Sequence, residues 1–232
     1  MITNFFGTEN ILKLVKKYSV NNFVLISTDK AVEPSNNMGL SKRMAEFIVY
    51  YYADILKTKM SVVRFGNVIG SSGSVLNYFS SLIKSKKNIT ITDPKVSRFF
   101  MSIEEACYLV LHSIINTKKN FQIFMLDMGK EILISDIAKK LISLNNLVLG
   151  EDIDIEYTTL SKGEKLREKL KYNFEKMLPT KTEKLIKLDS SKKIDIPNFE
   201  KFIDTLEIMI YKKNISDKKI IIHIKKYFRD LI

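Results

Sequence analysis

One cysteine, no tryptophan, four prolines and eight glycines in 232 residues set the first limits. A single thiol cannot close an internal disulfide, so the chain depends on its hydrophobic core. Within Ala106-Cys107-Tyr108-Leu109-Val110, on a helix expected to be buried, Cys107 reads as a packed apolar side chain. No run approaches the roughly 18 consecutive apolar residues of a membrane helix. The opening MITNFFGTEN lacks the basic region and apolar centre of a secretory signal, which points to a cytoplasmic location. His112 and His223 stand alone, with no Cys, Asp or second His at ligand spacing, so no metal site is expected. Glycine is scarce where a dinucleotide fold needs it most. Gly7 is the only glycine before Asn22, and no G-x-G-x-x-G turn occurs there to hold a pyrophosphate.

Charge of one sign is abundant: the net charge is +12. Five arginines (43, 64, 98, 167 and 229) among 38 cations leave 33 lysines, scattered over nearly every segment and densest after Lys181. Lysine lacks the planar fork that reads bases and phosphates in pairs, and no basic stripe interleaved with aromatics appears. The pattern is that of a solvated surface rather than of a nucleic-acid binder.

What is present begins at Asn22. Phe23-Val24-Leu25-Ile26 has the length and branched content of a buried strand and ends at Ser27-Thr28-Asp29-Lys30. A helix over residues 3–18 precedes it, capped by Thr3 or Asn4, with Phe5, Ile11, Leu12, Leu14 and Val15 inward. After the turn-rich Glu33-Pro34-Ser35-Asn36-Asn37, a helix over 38–57 carries Leu40, Met44, Phe47, Ile48, Tyr51 and Ile55. Met38 and Lys42, four apart, share a face of its first turn. A strand over 61–65 follows, and helix alternating with apolar strand is the pattern of a doubly wound parallel sheet. Ligands bind where the carboxyl ends of such strands open.

Further along, a helix over 74–84 turns Val75, Phe79, Leu82 and Ile83 inward, a strand covers 89–91, and a helix over 103–115 starts at Ser102. Glu104 and Glu105 complement that helix's dipole. A buried strand over 121–126, a helix over 135–144 capped by Ser135 and a strand over 153–157 complete the regular part. After Thr180 come repeated lysines, Asp195-Ile196-Pro197 and amphipathic helical patches at Phe202, Leu206 and Ile210 and at 220–227.

Four stretches, ISTDKAVEPSNNMGLSKRMAE, VVRFGNVIGSSGSVLNYF, ITDPKVSRFFMSIEEACYLVL and FMLDMGKEILISDIAKKLI, run in unbroken order from about Asn22 to Leu144. Together they resemble the extended short-chain dehydrogenase/reductase superfamily, and within it the nucleotide-sugar 4,6-dehydratases of the polysaccharide-biosynthesis type. The resemblance implies an α/β fold. A partial Rossmann-like sheet would occupy 1–66, with 103–146 packed back on it. A substrate lobe would follow from 67–102 and 147–180, and a divergent, Lys-rich helical tail would occupy 181–232. It also implies that the glycine-rich first half of the NAD domain precedes what is seen here. This chain would then work as a homo-oligomer or with such an N-terminal half.

The chemistry the resemblance implies is carried out on a UDP-linked N-acetylhexosamine. NAD takes hydride from C4, water leaves across C5 and C6, and hydride returns to C6. Thr28 would bond the C4 oxygen, Asp29 would protonate the departing hydroxyl and Lys30 would take the C5 proton. Lys42, with Ser27 and Phe65, would border the cofactor. Met38 stands where most of the superfamily has a catalytic Tyr. A thioether moves no protons, so the carboxyl of Asp29 would also serve the C4 hydroxyl. Asn67, Ser74, Arg98, Lys162 and Glu164 would meet the sugar nucleotide. Arg98 can also be read as a surface cation with a packed stem. Ser161-Lys162-Gly163-Glu164-Lys165 resembles the family's Arg-Pro-Gly-Glu-Lys segment, with Ser and Lys replacing Arg and Pro. Epimerization at C4 or C5 by the same superfamily is the alternative reaction, and an inactive or split-subunit fragment is the alternative to an enzyme.

Overall fold

The computed structural model describes residues 1–190, 198–212 and 215–228. A π-helical turn, Ile2–Phe6, leads into α1 (Gly7–Lys17). Strand β1 (Asn22–Thr28), helix α2 (Asn37–Ile55) and strand β2 (Lys59–Phe65) follow, and then a short strand β3 (Asn67–Val68). The next elements are α3 (Val75–Lys84), β4 (Ile89–Ile91), β5 (Ser97–Arg98), β6 (Phe100–Met101) and α4 (Ile103–Asn116). Then come β7 (Phe121–Leu126), β8 (Ile132–Leu133), α5 (Ile134–Leu144), β9 (Ile155–Tyr157), β10 (Glu175–Pro179), β11 (Leu185–Ser190), α6 (Phe199–Glu207) and α7 (Asp217–Tyr227).

The main sheet has the order β1-β2-β7-β11-β10. Its first three strands are parallel, in a register that sets Ser27 beside Arg64 and Thr28 beside Phe65. Their carboxyl ends therefore reach the same edge of the sheet. The expected α/β class and parallel Rossmann-like sheet are found. On one face α2 buries Met44, Phe47 and Ile48 against Met60 and Val62, and the aromatics Phe199, Phe202 and Phe228 close the same core from α6 and the end of α7. On the other face α4 sets Ala106 and Leu109 against Val63, Phe124 and Leu126. A separate cluster of Phe79, Ile83, Ile89, Ile91, Ile134 and Ile142 holds α3, α5 and the β4–β9 ladder together.

Several expectations need correction. In α1, Ile11 and Leu14 are each 52% exposed, while Thr8 and Glu9 join Leu12 and Val15 on the buried face. The helix meets the core along Thr8, Leu12 and Val15, spaced four and three apart, which leaves Ile11 and Leu14 on its flank. Neither Thr3 nor Asn4 caps the helix, and the Asn4 amide donates instead to Ser41 Oγ. Cys107 is exposed rather than packed, because α4 meets the sheet through Ala106 and Leu109. Ser135 lies inside α5, buried, and makes no capping bond. Residues 185–190, assigned above to a helical tail, form β11 and insert antiparallel between β7 and β10. Asp195-Ile196-Pro197 lies outside the described residues. No helix among the described residues is long and apolar enough to cross a membrane.

Candidate active site

The tip of β1 is shaped by its own polar residues. Thr28 Oγ1 accepts from the Lys30 backbone N–H at 3.4 Å, opening a single 3-10 turn over Asp29–Ala31. The same hydroxyl donates to Asp29 Oδ1 at 2.8 Å. Lys30 Nζ donates to Asp29 Oδ1 at 2.9 Å and to Asn67 Oδ1 at 3.3 Å. A carboxylate, an amine, a hydroxyl and an amide thus converge within hydrogen-bonding distance. Asp29 is fully buried, and its Oδ2 has no hydrogen-bond partner. Space for it comes from Gly66, where a Cβ would stand 3.0 Å from that oxygen and 3.1 Å from Phe99 Cβ.

A cavity of about 370 Å³ opens over this turn, lined by Thr28, Lys30, Met38, Asn67, Ser74 and Phe100, among others. A second chamber of about 250 Å³ shares Asn67 and Val75 with it and extends to Thr92, Arg98 and Glu164. The two form one elongated cleft along the carboxyl edge of the sheet and the lobe beside it. An apolar groove of about 450 Å³ between residues 1–3 and α7 is larger, but it holds none of the converging acid-base groups.

Helix α2 is seated against the turn. Asn36 caps it by accepting from Gly39 N at 2.9 Å, and Gly39 passes so near the Lys30 carbonyl that a Cβ would collide with it. Met38, 44% exposed, therefore faces the cavity. One turn on, Lys42 lines neither chamber, and its Nζ donates to Ile26 O at 3.2 Å. Burial holds the Lys42 amine below the usual lysine range, partly countered by the carboxylate of Glu46.

Beneath the cleft lies a sealed ionic cluster. Fully buried Arg64 donates to both oxygens of Glu46 at 2.8 and 2.7 Å and to both oxygens of Glu175 at 3.0 and 2.9 Å. Arg43 Nη1 and Ser27 Oγ add bonds to Glu46 at 2.7 and 2.6 Å. Burial alone would raise the Glu46 pKa, but the charge and hydrogen bonds of Arg64, with Arg43 and Ser27, pull it down to about 2.

A family model described as "Polysaccharide biosynthesis protein" matches residues 1–190. The chain belongs to that family. Among members of the polysaccharide biosynthesis family, the capsular polysaccharide biosynthesis protein CapD of Staphylococcus aureus is 46% identical over 168 residues, which are 72% of this chain and 28% of that protein. UDP-glucose 4-epimerase of Rickettsia canadensis is 43% identical over 114 residues, covering 48% of this chain and 33% of the relative. The chain thus spans less than a third of the length of the CapD relative it matches. Among solved structures, Pen from Bacillus thuringiensis superposes with a TM-score of 0.71 at 32% identity, covering 81% of this chain and 59% of that one. The fold is shared by dTDP-glucose 4,6-dehydratase of Bacillus anthracis in complex with NAD, with a TM-score of 0.62 at 18% identity over 73% of this chain and 58% of that one.

Of the residues singled out from the polysaccharide-biosynthesis resemblance, Thr28, Lys30, Met38, Asn67 and Ser74 line one cavity and Arg98 and Glu164 the adjoining one. Ser74 also caps α3, accepting from Asn77 N at 3.4 Å. Arg98 is buried, which excludes the surface-cation reading. Asp29 lies under the cavity floor, reaching it through Thr28 and Lys30. Four residues stand elsewhere, and one of them is Lys42, whose amine is bound to the Ile26 carbonyl. Ser27 points into the sealed cluster, because successive strand side chains take opposite faces. Phe65 packs partly buried against the core that includes Val63 and Phe124. Lys162 is exposed and lines neither chamber. Sequence reasoning passed over Ser71, Ser72 and Gly73 as cavity-lining residues; the small side chains of Gly70-Ser71-Ser72-Gly73 are the signal that could have found them.

Proposed function

We propose that this chain carries the substrate cleft and acid-base turn of a nucleotide-sugar 4,6-dehydratase acting on a UDP-linked N-acetylhexosamine. One observation carries the reading: a Lys30–Asp29 pair, bonded on one side to Thr28 and on the other to Asn67, forms the floor of a cleft whose far end holds Arg98. The far chamber, with a guanidinium and hydroxyls, suits a nucleoside diphosphate, which leaves the hexose over Thr28 and Lys30.

Elimination across C5 and C6 needs a base for the C5 proton and a donor for the leaving hydroxyl. Passing the shared proton from Lys30 Nζ to Asp29 Oδ1 turns the ion pair into an amine and a carboxylic acid, which are those two groups. The amine takes the C5 proton, the C6 oxygen departs as water with a proton relayed from Asp29 through Thr28, and the C5–C6 double bond forms. Asn67 holds Nζ over the sugar while this occurs. Met38 handles no proton and supplies an apolar wall.

NAD, when bound, would supply acceptance of the C4 hydride and its return to C6, and the C4 hydroxyl proton passes by way of Thr28 and the Asp29 carboxylate to water before the Lys30 proton moves. Met38 on the cavity wall, with Lys42 one helical turn on, would border its nicotinamide ribose. Ser27 and Phe65 do not fit such a role, since both face packed interior. Incubating the protein with UDP-N-acetylglucosamine and NAD and following the product by NMR tests the reading, which predicts a 4-keto-6-deoxy sugar. The likeness to a UDP-glucose 4-epimerase supports a second reading, and a product inverted at C4 with no loss of water would decide for it.

A further inference from the structure

Residues 161–174 form no helix or strand, yet they are tied on both sides. Neighbouring residues along this strap face opposite ways. Toward the lobe, Glu164 Oε1 accepts from Thr92 Oγ1 at 2.9 Å and stands 3.6 Å from Arg98 Nη2. The Leu166 carbonyl accepts from Ser97 N at 3.0 Å and from Arg98 Nη1 at 3.1 Å. Toward the catalytic turn, the Gly163 carbonyl accepts from Ser35 Oγ at 2.6 Å, and Lys165 Nζ donates to Val32 O at 2.9 Å. Farther along, Tyr172 OH donates to Ala31 O at 3.2 Å. The strap therefore joins the walls of the Arg98 chamber to the two residues that follow Lys30.

Tyr172 is its fixed point. The residue is buried, and its backbone N–H donates to Glu175 Oε2 at 2.7 Å, a carboxylate already gripped by Arg64. Its ring lies 4.7 Å from the Arg43 guanidinium carbon and 5.7 Å from that of Arg64. With the ring clamped in this way, the phenol oxygen is a rigid peg against the Ala31 carbonyl. The sealed ionic cluster thereby acquires a purpose at the cleft: it anchors the peg that sets where the turn can sit. A shift of about 1 Å at Lys30 would spoil proton transfer.

We propose that Tyr172, assisted by Lys165, is a positioning residue that couples nucleoside-diphosphate occupancy of the Arg98 chamber to the seating of Lys30. The proposal rests on the nucleotide-sugar reading above. A diphosphate that engages Arg98 fixes the guanidinium that also holds the Leu166 carbonyl, and so tightens the lobe side of the strap. The other side transmits that change to the carbonyls of Ala31 and Val32. Neither residue needs to touch the substrate.

The test is amide hydrogen exchange, read by mass spectrometry with and without uridine diphosphate, on the full chain, on Tyr172→Phe and on Tyr172→Phe/Lys165→Met. Uridine diphosphate is expected to slow exchange about fivefold, the low end for coupled sites, at both 89–98 and 28–36 in the unaltered chain. In both variants protection at 89–98 should persist, while protection at 28–36 falls away. Tyr172→Phe keeps the ring and its guanidinium contacts, so it carries the test if the double variant fails to melt cooperatively. Protection confined to 89–98 in the unaltered chain, or equal protection of 28–36 in Tyr172→Phe, would overturn the proposal and leave the nucleotide reading standing. No protection anywhere, together with no heat of binding, would overturn both.

Discussion

Two clusters of the same chemistry lie back to back at the end of β1. Ser27, Glu46, Arg64 and Glu175 form one; Thr28, Asp29, Lys30 and Asn67 form the other. Each joins a hydroxyl and a carboxylate to a cation, and their hydroxyls come from adjacent residues. What separates them is access. Arg64 and both its carboxylates are sealed from solvent and doubly bonded, whereas the Lys30 side chain keeps 24% of its surface open to the cleft. Burial with full pairing makes a brace, and the same groups left one face open make a reactive site. Residue type alone does not distinguish them.

Exchanging the cations gives the sharpest test of that contrast. Lys30→Met should lower turnover in the dehydratase assay by about 100- to 10,000-fold, the range for loss of a general acid-base group. Its cost in folding should be only about 2 kcal/mol, because Asp29 keeps the hydrogen bond from Thr28. Arg64→Met should do the reverse. It strands two buried carboxylates, and denaturant titration should show a loss of about 3 to 5 kcal/mol. Equal stability losses in the two variants would erase the distinction.

Acid should dissolve the brace by a predictable route. Glu46 is held at about 2 in the folded chain against an ordinary 4.5. A carboxyl with a lowered folded pKa stabilises fully above its ordinary value and loses that contribution as pH falls toward the folded one. Stability should therefore drop by about 3 kcal/mol as pH falls from about 4.5 to about 2, and Glu46→Gln should flatten this part of the profile. The smallest effect belongs to the strap. Gly163 has φ +82°, and a Cβ there would stand 2.7 Å from the Ser35 carbonyl. Gly163→Ala should cost about 1 to 2 kcal/mol in thermal or chemical melts, with the strain confined to the contact between strap and turn.

Much of the fold could be read from local pattern. The apolar run before Thr28, the turn-rich Glu33-Pro34-Ser35-Asn36-Asn37 and the three- and four-residue spacing beyond it all describe elements that form from their own neighbours. The sequence was least informative where partners are distant. β10 and β11 carry lysines, an aspartate and a proline, and they become strands through the ladder to β7, a partner some 60 residues earlier in the chain. Which flank of α1 is exposed was decided by how the helix packs on the core. The burial of Asp29 depends on Gly66, and Tyr172 meets Ala31 only in three dimensions. The residues that converge at the cleft could be named from sequence order, but which of them face it was decided by strand alternation and close packing.

Strand β1 forms one border of the main sheet. The Asn21 carbonyl, just before it, turns toward β2, and alternation then sends the peptide groups of Val24 and Ile26 outward. Lys42 covers the Ile26 carbonyl, and the Ile26 side chain is half exposed. A border of branched apolar residues with outward amides, and neither proline nor bulge to blunt it, is a template for strand addition. Concentrated solutions of residues 1–232 should therefore be prone to self-association along this ladder, and any segment that pairs there would displace the Lys42 ammonium from the Ile26 carbonyl.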